Sequence, residues 1–307
     1  MWGIRRFETR DLEGQRALLQ DESIAGEYEA LQGPQSLEAW LADPFRDPRL
    51  HFVAEERGRL IGFASPFVLA GREHGFAATY IGVIGHARRR GLGSALLAQV
   101  EAGLLAHDPA VHESCLNAWL PSPEAEGFAR KHAYERVRSF WLMARDGAPP
   151  RAPEWPPGIT LKYHEASERQ FQDLSDVYND SFEHHYHSTR TDAGDMRALY
   201  TRPGFRPDGY VLAYRGGRPA GFCRCDLHEG RGEITVLGTS QSARGIGLGR
   251  ALLRWGVQWL ERERTPRVTL LVDGENEGAL RLHRSEGFEV VRTRAAWSRE
   301  PGRDARA

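Results

Sequence analysis

Apolar and polar residues alternate in short runs and then switch to a helical period, and this succession occurs twice along the 307 residues. Ile4-Arg5-Arg6-Phe7 and Ile159-Thr160-Leu161-Lys162-Tyr163 predict an opening strand in each half. His51 to Glu55 with Leu60 to Pro66, and Tyr210 to Tyr214 with Ala220 to Asp226, predict hairpins. Their turns are Arg57-Gly58-Arg59 and Arg215-Gly216-Gly217-Arg218. A further strand runs into a Gly-rich turn. An amphipathic helix follows, with Leu97, Val100 and Leu104 on one stripe, and Leu253, Val257 and Leu260 in the other half. Another buried strand (Cys115 to Leu120; Val268 to Val272), a helix and a last strand complete each half. The predicted class is α/β with a mixed sheet, antiparallel at first and built around a central strand–helix–strand unit.

The repeat extends to the residues themselves. Arg-Arg-Arg-Gly-Leu-Gly-Ser-Ala-Leu-Leu at 88–97 matches Arg-Gly-Ile-Gly-Leu-Gly-Arg-Ala-Leu-Leu at 244–253, an offset of 156. Phe128 to Glu135 matches Leu282 to Glu289 at an offset of 154. Two motifs that keep their spacing point to duplication of a whole domain. Between the copies, 146–158 holds five prolines, too many for a helix interior or a central strand. The expected organisation is a domain over 1–145, a stiff linker over 146–158, a second domain over 159–298 and a polar tail over 299–307.

Composition narrows the class. With 41 basic and 42 acidic side chains the net charge is −1, which gives no electrostatic case for a nucleic-acid or membrane partner. No run of about 18 apolar residues suggests a span, and the first residues contain no apolar signal core. Cys115, Cys223 and Cys225 lack the spacing of a redox or zinc motif. Three unpaired thiols suit a reducing compartment, so the cytoplasm is expected.

A strand, then Arg-x-x-Gly-x-Gly, then a helix can cradle a pyrophosphate, because the glycines let the backbone turn its N–H groups toward an anion at a helix N-terminus. Neither copy has the lysine of a P-loop. Neither has the third small residue of a dinucleotide fingerprint, since Leu96 and Leu252 stand there. On Arg88, Gly91 and Gly93, and on Arg244, Gly247 and Gly249, the chain resembles the GNAT superfamily of acyl-CoA transferases, in particular its tandem two-domain members. The later motif Asn276-x-x-Ala279-x-x-Leu282, ending in Gly287-Phe288, agrees in the second half.

The resemblance implies two tandem GNAT domains and acetyl-CoA as cosubstrate. It implies that Ile81, Gly82 and Val83, with Leu237, Gly238 and Thr239, hold the pantetheine by their backbones. The pyrophosphate then falls to Arg88, Arg89, Arg90, Gly91, Leu92, Gly93 and Ser94, and to Arg244, Gly245, Ile246, Gly247, Leu248, Gly249 and Arg250, and Asn276 from the later motif is a further cofactor contact.

Acetyl transfer to an amine needs a base, and Glu233 on the strand before the loop is the candidate. Period-2 alternation puts Glu233, Thr235 and Leu237 on one face. At offset 156 the first copy has Ala77, which cannot act. Where the family often has a tyrosine acid, His283 stands in the second copy and Ala129 in the first. An imidazole titrating near neutrality is a candidate donor to the departing thiolate, and a surface histidine is the plain alternative. The second domain is therefore expected to be catalytic and the first a cleft wall or a second acetyl-CoA site.

His184 and His185, in Glu183-His184-His185-Tyr186-His187, are candidate acceptor contacts. No further metal-spaced cluster supports a metal there, and none is expected. Pro44-Phe45 and Pro203-Gly204-Phe205 recur ahead of the hairpins as loop anchors. Tyr28 and Trp40 carry no spacing signal for a pocket. The expected function is acetyl transfer to a small-molecule primary amine by a monomer. Protein or peptide Nα-acetylation and a non-catalytic acyl-CoA sensor are the alternatives.

Overall fold

The structure is a computed structural model and describes residues 1–31, 36–69, 75–107, 110–146, 151–188, 190–201, 205–228 and 231–300. Two compact units divide it. Unit 1 comprises Met1–Arg138 and Arg294–Ala307; unit 2 is Ser139–Thr293.

The chain opens with β1 (Gly3–Arg6), then the helices α1 (Leu12–Leu19), α2 (Glu22–Ala25) and α3 (Ser36–Leu41). Next come β2 (Phe52–Glu56), β3 (Arg59–Leu69), β4 (Gly75–Val83), α4 (Leu92–His107), β5 (Val111–Leu120), α5 (Pro123–Lys131) and β6 (Glu135–Asp146). The succession then repeats: β7 (Ile159–Lys162), α6 (Glu168–Phe182), α7 (Ala193–Tyr200), β8 (Tyr210–Arg215), β9 (Arg218–His228) and β10 (Arg231–Thr239). It finishes with α8 (Leu248–Arg262), β11 (Arg267–Asp273), α9 (Glu277–Ser285) and β12 (Glu289–Arg299).

Both hairpin turns form as their residues predict. Arg57 and Gly58 have φ of 52° and 75°, Gly216 and Gly217 of 58° and 75°, the paired left-handed conformation that matches strand twist. Strand order is β1-β2-β3-β4-β5 in unit 1 and β7-β8-β9-β10-β11 in unit 2. Pairing is antiparallel up to β4 and β10, and parallel from β4 to β5 and from β10 to β11. The helical stripe is buried as expected, with Leu97, Val100 and Leu104, and Leu253, Val257 and Leu260, each at most 4% exposed. Cys223 and Cys225 share a face against α8, where a Cβ on Gly256 would meet both sulfurs at 3.1 Å.

The last strands do not stay with their sequence copies. Beyond β5, unit 1 is completed by the Arg294–Arg299 part of β12; beyond β11, unit 2 is completed by the Ser139–Asp146 part of β6. Met143 on β6 is fully buried with Val268, Leu270 and Phe288 of unit 2. Ala295 and Trp297 on β12 close a core with Leu97, Leu116 and Ala129 of unit 1. Sequence repetition marks where the copies join, whereas pairing and burial mark which residues fold together, so the compact units differ from a division at 1–145 and 159–298. Within the proline-rich stretch and the tail, 147–150 and 301–307 lie outside the described residues, as do Pro203 and Gly204. No helix among the described residues is long and apolar enough to cross a membrane.

Candidate active site

The site is made where two parallel strands part. In unit 2, β10 and β11 are in register only at Gly232↔Val268, Glu233↔Thr269 and Ile234↔Leu270. Beyond Ile234, β10 stays paired to β9 as far as Thr239, so its other edge opens into a cleft. In unit 1, β4 and β5 are paired up to Thr79↔Leu116 and then part likewise. The cleft runs past Leu237, Gly238 and Thr239 in one unit, and Ile81, Gly82 and Val83 in the other. These are the backbones that the family resemblance assigns to pantetheine.

Each cleft ends at a helix N-terminus. Gly247, the residue before α8, has φ of 92° and Gly245 has 77°. The same places in unit 1 hold Gly91 at 81° and Arg89 at 61°. A Cβ added at Gly247 or Gly91 would meet no atom within 4 Å, so each glycine borders open space. The first N–H groups of α8 and α4 have no partner inside their helices. Leu248 and Leu92 bury their side chains and contribute only backbone there. Arg89 carries a left-handed strain of about 1 kcal/mol that Gly245 avoids. Arg89→Gly is expected to leave stability unchanged or slightly raised, and a lower urea midpoint than wild type would contradict this.

The signature arginines brace the loop. Arg244 Nη2 donates to the Ser181 carbonyl, 3.0 Å away, near the end of α6. Arg88 donates through Nε to Val83 O at 3.0 Å and through Nη2 to Ser23 O at 2.6 Å. Two further loop residues are engaged by acids: Arg250 pairs with Glu286 at 2.5 Å and Arg90 with Glu56 at 2.6 Å. Ser94 Oγ lies 2.9 Å from His132 Nε2 and accepts from Lys131 Nζ at 3.2 Å. Ile246 packs on the unit 2 core, and a Cβ on Gly93 would crowd the Phe128 ring at 3.2 Å. At Gly249 the added atom would make ordinary contacts with Leu282 and Thr239. An anion bound at this turn would thus meet backbone N–H groups more than these guanidiniums.

A β-bulge between Ile234 and Val236 changes the expected facing. Ile234 packs with the α8 core, Val236 with the α6–α7 core, and Leu237 again with α8. Glu233, Thr235 and Leu237 therefore do not share a face; the extra residue at Thr235 breaks the alternation. Glu233 lies directly opposite Asp226 on the α6–α7 face, the face on which Arg224 packs over the Tyr200 and Phe205 rings. Asp226 is tied by Arg224 and accepts from Thr235 Oγ1 at 2.8 Å. Arg224 itself is 4% exposed. In register, the counterpart of Glu233 in unit 1 is Ala78, paired with Cys115, and not Ala77. Unit 1 still has no acid there. Asp226, Arg224 and Tyr200 escaped the sequence reading; the hairpin register, which sets Asp226 opposite Glu233, was the signal that leads to them.

The later motif supplies one contact and one correction. Asn276 caps α9, accepting from Ala279 N at 3.0 Å, and its Nδ2 lies 3.2 Å from His185 Nε2. His185 also meets the Phe182 ring edge-on at 5.0 Å. His184 is not brought in; its side chain is 80% exposed beside Glu183. His283 is neither a surface residue nor a near-neutral acid. It is buried beside Phe288, its Nδ1 has no partner, and burial pushes its pKa down to about 4.

That burial predicts acid sensitivity. An unfolded histidine titrates near 6.5. Between pH 6.5 and 4 the unfolded chain therefore binds more protons at His283, and stability falls as pH drops through this window. The full contribution, of up to about 3 kcal/mol, is present above pH 6.5. His51, stacked on Phe7 and pushed by burial down to about 3, acts with the same sign. Urea midpoints at pH 7 and pH 5 test this: the gap between them should narrow in His283→Gln, and an equal gap would remove the assignment.

Comparison with known proteins agrees with this geometry. The sequence model of the acetyltransferase (GNAT) family matches residues 16–140 and 171–288. A mycothiol acetyltransferase of a Nocardioides species is 32% identical over 224 residues, covering 66% of this chain and 73% of that protein. The mycothiol acetyltransferase of Cellulomonas flavigena is 33% identical over 254 residues, covering 78% and 70%. Among solved structures, a GCN5-related N-acetyltransferase from Sphaerobacter thermophilus shares the fold with a TM-score of 0.74 at 23% identity, covering 99% of this chain and 97% of its own. A tandem GNAT protein from the clavulanic acid biosynthesis pathway also gives 0.74, at 18% identity and 98% and 99% coverage. With the glycine-bordered helix N-termini, the parted strands and both halves matched, the chain belongs to the GNAT acetyltransferase family and is an acetyl-CoA-dependent N-acetyltransferase.

Proposed function

We propose that unit 2 transfers acetyl to the primary amine of a small molecule, with Glu233 as the base. The observation that carries this is the bulge at Thr235, which turns Glu233 onto the α6–α7 face at the last paired positions before β10 and β11 part. The residues present fit the cosubstrate: the glycines border open space at helix N-termini, and the free edge of β10 leads there. When bound, acetyl-CoA supplies the thioester that the amine attacks.

The side chains of this unit do the rest. Glu233 takes a proton from the acceptor ammonium, directly or through a water. Backbone N–H groups on the open edge of β10 donate to the carbonyl oxygen as charge builds on it. The C–S bond breaks as the amide forms. His283, neutral at pH 7, packs α9 and does not serve as a cationic acid, so solvent protonates the thiolate. His185, the acceptor contact in this reading, touches Asn276, the cofactor contact of the later motif.

The relatives named as mycothiol acetyltransferases favour a small-molecule amine over a peptide. The test is CoA release with the amine precursor of mycothiol and with a panel of peptides carrying free N-termini. Turnover of peptides alone would overturn the small-molecule reading.

A further inference from the structure

Unit 1 lacks an acid at the base position, yet the face on which that position lies is not empty. Tyr80 is the first residue of β4 beyond its last pairing with β5, two residues along from Ala78 and on the same face. Two guanidiniums flank it. Arg46, in the loop after α3, lies 3.7 Å from the Trp40 ring centre and 4.9 Å from that of Tyr80. Arg294, in the part of β12 that belongs to unit 1, lies 5.7 Å from Tyr80 and 5.5 Å from Trp119.

Rings engage the faces of a guanidinium but not its in-plane N–H donors. Both guanidiniums hydrogen-bond the Tyr80 hydroxyl, but part of each fork is left over. Nε and Nη1 of Arg46 and Nε of Arg294 are closed off from solvent and have no hydrogen-bond partner. Among the described residues neither arginine makes an ion pair. The carboxylate of Glu27 accepts from the Trp119 N–H at 3.0 Å. Burial pushes Arg46 down to about 10, more than the nearby Tyr80 and Asp43 raise it. Burial alone would raise the Tyr80 phenol, but the two guanidiniums more than reverse it and leave it below its ordinary value.

Unpaired buried cations are costly, and planar forks of donors complement a carboxylate or phosphate. The same face of unit 2 carries two carboxylates, Glu233 and Asp226, at the corresponding level. There the two carboxylates outnumber the one guanidinium, Arg224, whereas the unit 1 face holds two guanidiniums and no acid on the strand. We propose that unit 1 binds the oxyanion group of a small molecule, carboxylate or phosphate, between Arg46 and Arg294 on the Tyr80 face. This does not depend on which amine unit 2 acetylates.

The test is thermal unfolding of the full chain with increasing sodium phosphate or sodium succinate at constant ionic strength, with chloride as reference. A ligand that binds only the folded state raises the unfolding temperature in a saturable way. The wild type should show this for at least one of the two anions. Arg46→Gln and Arg294→Gln should each weaken the apparent affinity by about tenfold or more. Should Arg46→Gln fail to fold, Arg46→Lys is expected to keep a reduced response and Arg294→Gln to lose it. A response to phosphate alone identifies a phosphoryl group, and one to succinate alone a carboxylate. No saturable rise in the wild type, an equal rise with chloride, or an unchanged response in the variants overturns the proposal.

Discussion

Glu233→Gln should lower kcat by roughly 10²- to 10⁴-fold, the usual worth of a positioned general base, while acetyl-CoA affinity stays close to that of the wild type. Gln keeps the size and hydrogen-bonding reach of the side chain but cannot take the proton. Its backbone pairing with Asp226 and Thr269 does not involve the side chain, so the bulge and the cleft persist. The loss should shrink at high pH, where more of the acceptor is already a free amine, and this rise separates a missing base from a damaged fold. Asp226→Asn is the companion measurement. Asp226 is held by Arg224 and Thr235, so its loss should disturb acceptor binding and raise KM for the amine. Turnover unchanged in Glu233→Gln but abolished in Asp226→Asn would transfer the base to Asp226.

The second large effect is expected at the glycines before the central helices. Gly247→Glu should weaken acetyl-CoA binding by about 100-fold or more, because a carboxylate beside a pyrophosphate costs several kcal/mol. Gly247 sits at φ of 92° and borders open space, so two effects overlap: backbone strain and negative charge. Gly247→Ala separates them, since it carries the strain of about 1–2 kcal/mol without the charge. Gly91→Glu makes the same test of unit 1. Calorimetric titration then counts sites. Two binding events reduced one at a time mean that both clefts bind acetyl-CoA. Loss only in Gly247→Glu assigns the donor to unit 2 alone. If the Glu variants bind as well as the Ala variants, the loops do not hold the pyrophosphate.

Much of this arrangement is legible in the residues alone. Alternation and helical stripes found the strands and helices, and left-handed φ at Gly58, Gly216, Gly217, Gly91 and Gly247 falls where turns and caps require it. The bulge was not legible, because period-2 reasoning assumes one residue per step and nothing about Thr235 announces an insertion. Its trace was numerical. The last paired positions, Thr79 and Ile234, are offset by 155, while the loops beyond are offset by 156. The burial of His283 is not legible for a different reason. Helical period places it on a stripe, but which stripe faces the core is decided by Phe288 and the packing of α9, not by the histidine itself. The Arg46–Arg294 pair joins residues far apart in sequence with no shared motif, so only the fold brings them to Tyr80.

The exchange of final strands bears on how the protein is made. Synthesis delivers the residues of unit 1 first, up to Arg138, yet Ala295 and Trp297 are needed to close its core. Translating the intervening Ser139–Thr293 at about 5–20 residues per second takes roughly 8 to 30 s. Throughout that time β5 presents an uncovered edge and Leu97, Leu116 and Ala129 lack their apolar cover. Unit 2, whose first strand has already emerged as part of β6, can close before unit 1 does. The half that begins the chain is therefore the half finished last, and its β5 edge stays uncovered until the final strand has been made.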